Sequence, residues 1–521
     1  MSGDWFRQAQ FYAVDVRRFL DTDGDGIGDL AGLERRLGYI RALGFDAVWL
    51  LPISPSARGD NGYDVTDYLG VDERLGGLSA FGSFVAAAHR HGMRVMVDLV
   101  LHHTSDRHPW FVAAELDPES RFRGYYFWRD REPPDDPALS AFPEEEGGVW
   151  DYSERADAWY RHFFYRFQPD LDHRSDEVWS EIRRIVDFWI ALGADAFRID
   201  ALPHFFDEKA GPGSRADLGR RLDELHAFVT ARNPEVRLIA EADVPPVEQE
   251  PYLAHGVDAL YNFMASSALF ASLATGSAAP LARVLADQLE RQPDHPWVDF
   301  VRNVDELDLE RLPEDERAAV FRTFAPQPRM RIFGRGIRRA WAPMMRSDRE
   351  QRMTMSLLFA LPGRPLVIAG QELGMGDDLR RSGREAVRLP MQWTAGPSAG
   401  FSRRHGAPLA QAVHRRGRFG ARRRNALNQL GDAGSLLRFT AKLSRLRREA
   451  DRAGSGVPAW RIEAAGPLLV LRGPTTVTVH NLSARRVASP QLTGRVLLRD
   501  GERPDGAPLP GFGFEWREAA S

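Results

Sequence analysis

One stretch, residues 193–203, limits the folds open to this chain more than any other. A helical pattern leads into it, because apolar residues recur at three- and four-residue spacing from Val178 to Trp189. Gly193 is suited to end that helix in the left-handed conformation. The apolar run 196–199 then predicts a short buried strand with Asp200 at its carboxyl end. Carboxylates at such strand ends are typical of α/β barrels, which keep their chemistry there.

Further apolar runs alternate with helical patterns along the chain; they are residues 10–14, 47–51, 94–100, 236–240, 258–263, 299–303 and 365–369. Together with residues 196–199 they predict an α/β protein with a (β/α)8 TIM barrel over residues 1–103 and 170–400. An isolated Arg198 and Asp200 would instead be interpreted as a surface ion pair. We reject the surface ion pair because further predicted strands also end in acidic residues.

The barrel pattern stops between residues 104 and 169. This stretch is long, aromatic and acidic, and a loop of such length inside a compact domain is usually functional. It predicts an inserted lid domain, domain B, over the barrel mouth after the third strand. Residues 401–456 have a helical, arginine-rich pattern and predict a helical connection. Short β-type runs separated by Gly and Pro in residues 457–521 predict a C-terminal antiparallel β-domain.

Composition excludes several classes of function. The net charge of −4 over 521 residues provides no attraction to nucleic acid or to an anionic membrane. The absence of cysteine excludes a disulfide framework and a thiol nucleophile. The first residues are polar and no run of about 18 apolar residues exists, which predicts a cytoplasmic protein without a membrane span. The sequence is compatible with a homo-oligomer and does not determine the oligomeric state.

A second motif, residues 21–29, alternates acidic residues with other residue types. Its oxygen donors match the first nine positions of a calcium loop. These donors are Asp21, Asp23, Asp25, the carbonyl of Ile27, and Asp29. Gly32 stands at the twelfth position, where a complete calcium loop has Glu. The motif is therefore either an acidic turn without metal or a structural site for Ca²⁺ or Mg²⁺, and no pattern predicts an organic cofactor.

Three carboxylates fall at the predicted ends of strands four, five and seven: Asp200, Glu241 and Asp305. Cleavage of a glycosidic bond needs two carboxyl groups, which stand ~5–5.5 Å apart in enzymes that retain the anomeric configuration. A third can bind sugar hydroxyls as the ring flattens. Any one of them alone is commonly a structural ion pair. Three at equivalent strand ends predict chemistry on a glycosidic bond.

Four motifs resemble, in order, those of the α-amylase family, glycoside hydrolase family 13; they are residues 98–105, 193–203, 238–243 and 300–307. The resemblance implies that Asp200 is the nucleophile, Glu241 the general acid/base and Asp305 the transition-state stabiliser. It also implies that Arg198 positions the nucleophile.

The same resemblance implies which residues bind the sugar in subsite −1. His103 resembles a histidine that hydrogen-bonds the sugar there. Asp60 and Tyr63 match the floor and the stacking platform of that subsite. Arg388 matches an arginine that gates the pocket of exo-acting members. The implied partner is a disaccharide or another short α-glucoside.

Within the family, residues 5–480 most resemble members that interconvert maltose and trehalose. Supporting stretches are residues 328–332, 336–339, 359–363, 370–376, 390–393 and 399–402. The implied activity is retaining α-glucosyl transfer through a covalent glucosyl–Asp200 intermediate. If water resolves that intermediate, the chain is an α-glucosidase. A low-activity or non-catalytic homologue is the remaining alternative, against which the three costly buried carboxylates argue.

Three positions depart from the family pattern. Val304 replaces a histidine that binds sugar hydroxyls, so we expect slow turnover of ordinary glucosyl donors or a donor altered at those hydroxyls. His102 replaces an asparagine that ligates calcium beneath the lid, which argues against a second metal there. Leu389 replaces a threonine after Arg388. These changes leave the implied mechanism intact.

Overall fold

The structure, a computed structural model, describes residues 5–57, 59–134, 139–206, 214–403, 409–453 and 460–519. Its strands are β1 Phe11–Val14, β2 Ala47–Leu50, β3 Arg94–Leu99, β4 Trp128–Arg129, β5 Trp150–Ser153, β6 Ala158–Arg161, β7 Ala196–Ile199, β8 Arg237–Ala240, β9 Ala259–Tyr261, β10 Trp297–Phe300, β11 Leu307–Asp308, β12 Arg331–Ile332, β13 Gly336–Ile337, β14 Arg364–Ile368, β15 Arg461–Ala465, β16 Leu468–Arg472, β17 Thr476–Asn481, β18 Val496–Arg499 and β19 Phe514–Glu518.

The α-helices are α1 Leu30–Arg35, α2 Leu37–Leu43, α3 Gly77–Arg90, α4 Pro109–Leu116, α5 Asp176–Ala191, α6 Ser214–Arg232, α7 Pro246–Ala254, α8 Phe263–Thr275, α9 Ala279–Arg291, α10 Glu314–Phe324, α11 Trp341–Met344, α12 Asp348–Ala360, α13 Ala426–Gly431 and α14 Leu436–Ala453. None of these helices combines the length and the apolar composition that crossing a bilayer requires.

Eight of the strands close into a parallel barrel, which confirms the predicted fold class. Around the barrel the order is β1, β2, β3, β7, β8, β9, β10 and β14, and β14 pairs with β1 to close the ring. Strands such as β1, β2 and β7 are buried along their whole length, because side chains fill the inside and helices cover the outside. All eight carboxyl ends therefore face the same side of the molecule.

The stretch around residue 193 folds as the sequence predicts. Gly193 follows α5 with a φ of 93°, and the N–H of Ala194 donates to the carbonyl of Trp189 at 3.0 Å. This left-handed turn satisfies the free carbonyls at the helix end and redirects the chain into the barrel. Asp200 follows β7 directly, at the carboxyl end of the barrel.

The stretch between β3 and α5, called the insertion below, contains α4 and an antiparallel sheet of order β4–β6–β5. Phe111 of α4 packs under this sheet, with its ring centroid 5.1 Å from Tyr160 and 5.5 Å from Trp128. A second small sheet, β11–β13–β12, lies between β10 and β14. The sequence indicated the position of the insertion but not its strands.

The C-terminal strands form one antiparallel sheet of order β15–β16–β17–β19–β18, as predicted for a C-terminal β-domain. It packs on α12, where the Trp516 indole donates to the hydroxyl of Ser356 at 2.8 Å. Arg447 of α14 donates to the carbonyls of Phe359, Leu361 and Gly363, which follow or end α12. A cation at a helix C-terminus is favourable, so α14 fixes the entry to β14.

Between β1 and β2 the chain forms two helices, α1 and α2, which meet at Arg36, whose φ and ψ of −108° and 4° are not helical. One predicted element differs from the structure. The seventh barrel strand is β10, Trp297–Phe300, and not residues 299–303. The chain leaves the sheet after Phe300 because Arg302 binds the carbonyls of Asn303 and Asp305 and folds them into a loop. Asp305 thus lies beyond the strand end.

Candidate active site

A cavity of about 300 Å³ opens at the carboxyl ends of the barrel strands, beneath the insertion. Loops that follow the barrel strands provide most of its wall, and the insertion provides the rest. The structure brings these predicted site residues together in that wall: Asp60, Tyr63, His103, Arg198, Asp200, Glu241 and Asp305.

Arg198 lies at the centre of the predicted catalytic group. Its Nη1 donates to Asp98 Oδ1 at 2.8 Å and to Asp200 Oδ1 at 2.6 Å, and its Nη2 donates to Glu241. Its side chain is only 3% exposed. A guanidinium so deeply buried is tolerated because three carboxylates compensate its charge. The same contacts fix the relative positions of Asp200 and Glu241.

Burial gives Asp200 and Glu241 unusual proton affinities. It raises the pKa of Glu241 to about 7, helped by the neighbouring charge of Asp200, although Arg198 opposes the shift. Burial likewise raises the pKa of Asp200 to about 6, again against the effect of Arg198. Glu241 therefore holds a proton at a pH where Asp200 has lost its own. Two carboxyls with separated pKa values are what a general acid and a nucleophile require.

Asp305 is held in its charged form. Burial alone would raise its pKa, but Arg388 and then Arg384 hold the pKa well below the usual range. Arg388 donates to Asp305 Oδ1, and it does not line the cavity. The structure thus places Arg388 behind Asp305, whereas the sequence analysis expected it in the pocket.

Arg384 lines the cavity, and sequence reasoning missed it. It binds Glu306 through two hydrogen bonds of 2.8 and 3.0 Å. Its Nη1 also lies 3.9 Å from Asp60 and from Asp305. Its signal in the sequence is weak: it stands four residues before Arg388.

The predicted sugar-binding residues form one side of the cavity. The Tyr63 hydroxyl donates to Asp98 at 3.3 Å, and its carbonyl lies 3.0 Å from Nε2 of His103. Asp60 accepts from Gln168 of the insertion at 3.1 Å. These bonds hold an aromatic face, an imidazole and a carboxylate beside Asp200, the combination that a sugar ring needs.

The three positions that depart from the family pattern, Val304, His102 and Leu389, lie outside the cavity wall. Val304 is 6% exposed and belongs to the apolar cluster inside the barrel that includes Tyr261 and Phe300. Its neighbour Asn303 lines the cavity instead. His102 is fully buried, with Nε2 3.1 Å from the carbonyl of His204, and Leu389 is buried. The structure therefore does not support the expectation that Val304 contacts a donor sugar.

The arginines of the wall are all neutralised by acidic neighbours. Besides Arg198 and Arg384, the wall contains Arg311, 3.8 Å from Glu310, and Arg335, which donates to Asp308 at 3.1 Å. Asp243 lies in the same region, where burial and the Asp308 charge raise its pKa to about 8. This end of the cavity is rich in carboxyl groups.

The insertion closes over the cavity against the loop after β10. The ring centroids of Phe142 and Phe333 lie 4.4 Å apart, and Arg335 Nη1 donates to the carbonyl of Ala141 at 3.0 Å. Arg384 lies 5.3 Å from the centroid of each ring. Because the contacting residues are almost two hundred positions apart, no local pattern in the sequence indicates this closure.

The acidic motif that follows β1 lies apart from the cavity wall. Carboxylate oxygens of Asp21, Asp23 and Asp29 all lie within 4.8 Å of one another, a donor set that suits a hard cation. Asp25 and Ile27, also expected as ligands, are not part of this group. Asp25 Oδ1 accepts from the N–H of Ile27 at 2.7 Å instead. Asp29 additionally caps α1 by accepting from Gly32.

The chain is similar to known proteins along most of its length. The family model described as "Alpha amylase, catalytic domain" matches residues 13–456. The trehalose synthase/amylase TreS of Mycobacterium tuberculosis is 34% identical, over 98% of this chain and 90% of its own length. A probable alpha-glucosidase of Rhizobium meliloti is 32% identical, over 77% and 76%. Among solved structures, trehalose-6-phosphate hydrolase of Bacillus licheniformis superposes with a TM-score of 0.80 at 22% identity, over 100% of both chains.

Proposed function

The chain belongs to the α-amylase family and is an enzyme of that family; from this premise we propose that it interconverts maltose and trehalose by retaining transfer of an α-glucosyl group. The observation that carries the proposal is the Arg198 cluster, in which one buried guanidinium binds Asp200 and Glu241 while their pKa values differ. The similarity to trehalose synthases supports the choice of substrates.

The first half of the reaction forms a covalent intermediate. Ionised Asp200 attacks the anomeric carbon of the bound disaccharide, and protonated Glu241 gives its proton to the departing glycosidic oxygen. Positive charge that develops on the sugar ring is stabilised by the carboxylate of Asp305, whose pKa lies well below its usual range. Arg388 and Arg384 keep Asp305 in that state and in position.

The second half reverses these roles. Glu241, now ionised, accepts a proton from a hydroxyl of the released glucose, which attacks the anomeric carbon and frees Asp200. Attack by the 1-hydroxyl gives trehalose, and attack by the 4-hydroxyl gives maltose. The contact between Phe142 and Phe333 supports this outcome, since it covers part of the cavity and limits the access of water to the intermediate.

The charge of the cavity supports an uncharged substrate. Each arginine of its wall lies within salt-bridge distance of a carboxylate. A phosphate group would meet these carboxylates without an uncommitted cation among the described wall residues to receive it. We therefore propose neutral disaccharides, and not phosphorylated ones, as substrates.

We also propose that Asp21, Asp23 and Asp29 hold a structural Ca²⁺. The close approach of their three carboxylates supports a divalent cation, which would join the loop after β1 to the start of α1. None of these residues lines the cavity, so the ion would stabilise the fold without taking part in the chemistry.

The decisive experiment follows the anomeric protons of maltose, and separately of trehalose, by NMR in the presence of the enzyme. Formation of the other disaccharide supports the proposal. Glucose as the sole product would identify an α-glucosidase, which is the activity that the name of the Rhizobium meliloti relative states. No change with either sugar, from folded protein, would refute both activities.

A further inference from the structure

A second cavity, of about 450 Å³, lies between the start of α12 and the segment that leads into α14. It is called the arginine cavity below, because its wall contains four arginines and two acidic residues: Arg352, Arg418, Arg423, Arg424, Asp348 and Asp432. Among the described residues, none lines both this cavity and the catalytic one. Its volume is in the range of sites for small molecules.

The sequence that forms much of this cavity is basic. Six arginines fall within residues 415–424, and no acidic residue stands between Glu385 and Asp432. The chain as a whole has a net charge of −4, so this positive charge is local. A concave positive site in a weakly negative molecule favours a small anion over a long polyanion such as nucleic acid.

Two of the four arginines share a single carboxylate oxygen. Nη2 of Arg418 and Nη2 of Arg424 donate to Oδ1 of Asp348 at 2.9 and 2.7 Å. The Asp348 side chain is 66% exposed, so it can turn into solvent and leave both guanidinium groups to a ligand. A phosphate oxygen at the same point would accept from both arginines.

The other two arginines have no carboxylate of their own. Arg352 donates to the carbonyl of Gly434, and its guanidinium lies 4.9 Å from the ring centroid of Phe439. Neither Arg352 nor Arg423 forms a salt bridge within the described parts of the chain. Burial lowers the pKa of Arg352, although more distant carboxylates oppose the shift. An anion in the cavity would compensate a guanidinium that has lost water without gaining an ion pair.

Two long helices begin at the arginine cavity. Asp348 is the first residue of α12 and Leu436 is the first residue of α14, and both line the cavity. The N-terminal end of a helix carries partial positive charge, which adds to the charge of the arginines. The side chains and the helix ends therefore favour the same class of ligand.

We propose that the arginine cavity binds the phosphate groups of a small molecule. Guanidinium groups match phosphate oxygens in geometry, and four of them around one cavity can bind a diphosphate or a phosphate ester through several charged hydrogen bonds at once. In the catalytic cavity, by contrast, each arginine is neutralised by an acidic neighbour. This inference does not depend on the proposed function.

The test is isothermal titration calorimetry of the full chain at constant ionic strength. Inorganic phosphate, pyrophosphate and ADP are the probes, and their relative affinities distinguish the free ion, a diphosphate and a nucleotide as the source of the phosphate. Pyrophosphate should show saturable binding, which Arg352→Gln and Arg423→Gln should each weaken about tenfold or more. Asp348→Asn removes the competing carboxylate and should strengthen binding about threefold or more.

Arg422→Gln is the matched control. Arg422 is an exposed arginine of the same segment that does not line the cavity, and its loss changes the net charge by the same amount. Affinity for pyrophosphate should therefore stay within about twofold of the unaltered chain. Thermal melts establish that each variant is folded. Arg423→Gln changes an exposed side chain and carries the test if Arg352→Gln is unstable.

Three results would overturn the inference. The first is the absence of saturable binding by all three anions. The second is equal weakening by Arg422→Gln and Arg423→Gln, which would reduce the effect to the general charge of the segment. The third is saturable binding of a duplex DNA oligonucleotide with none of the three anions, which would assign the arginines to nucleic acid instead.

Discussion

The separate pKa values of Asp200 and Glu241 predict the pH dependence of catalysis. Asp200 must be ionised, so activity is lost as the pH falls through its pKa of about 6. Glu241 must be protonated, so activity is lost as the pH rises through its pKa of about 7. With these values, kcat/KM on maltose peaks at about pH 6.5. Outside the range between the two pKa values, kcat/KM falls by up to about tenfold for each pH unit.

The variant Glu241→Gln tests whether Glu241 causes the loss of activity at high pH, which is called the upper limb of the profile below. Glutamine cannot donate the proton, so turnover of maltose should fall by about 10²- to 10⁴-fold. α-Glucosyl fluoride carries a leaving group that needs no proton, and its first turnover should survive. Fluoride release in a single turnover, measured from pH 4.5 to 9, should then lose the limb near pH 7. The limb near pH 6, which belongs to Asp200, should remain.

Asp243 provides the matched control for this assignment. Its carboxyl lies in the same cavity, and burial with the nearby Asp308 charge raises its pKa to about 8. It is therefore another group of the described cavity wall that titrates in the range of the upper limb. Asp243→Asn should leave the limb near pH 7 in place on maltose. Loss of that limb in Asp243→Asn, or its persistence in Glu241→Gln with the fluoride, would refute the role given to Glu241.

Three other changes test the rest of the site. Asp200→Asn should stay folded, with Asp98 and Glu241 still bound to Arg198, and should lose turnover of maltose, because no nucleophile remains; clear activity in pure protein would rule out a covalent intermediate. Excess chelator should lower the melting temperature if Asp21, Asp23 and Asp29 hold Ca²⁺. An unchanged melt, with no metal found by elemental analysis, would contradict the site. Trehalose 6-phosphate should show a kcat/KM about a hundredfold or more below that of trehalose, because its phosphate meets carboxylates; comparable values would refute the charge argument.

The barrel could be predicted because its strands are buried on both faces. Such strands are short apolar runs, and β7 was predicted at its observed limits, Ala196–Ile199. Strand β15 lacks this signal because it is an edge strand with mostly exposed residues. In β19, Glu515 and Arg517 are buried as a pair 2.6 Å apart, so burial there does not follow polarity.

The site could be predicted where function depends on residues close in sequence to a strand end. Asp200 and Glu241 follow β7 and β8 directly, and their place in the barrel follows from the strand pattern. The closure over the cavity could not be predicted, because Phe142 and Phe333 meet only through tertiary packing. Arg388 was expected in the pocket, since a motif gives the residue type but not the direction of its side chain.

Val304 shows the same limit most clearly, and it yields a prediction opposite to the one that its sequence position suggests. From the motif alone, Val304→His should restore a sugar contact and raise kcat/KM on maltose about tenfold or more. In the structure, the side chain instead packs with the apolar cluster that includes Tyr261 and Phe300. An imidazole buried there without a partner costs about 1–3 kcal/mol, so the variant should melt at a lower temperature without a gain in kcat/KM. Val304→Leu, which stays apolar, controls for the change in volume. A tenfold gain for Val304→His and none for Val304→Leu would show that residue 304 does reach the donor sugar.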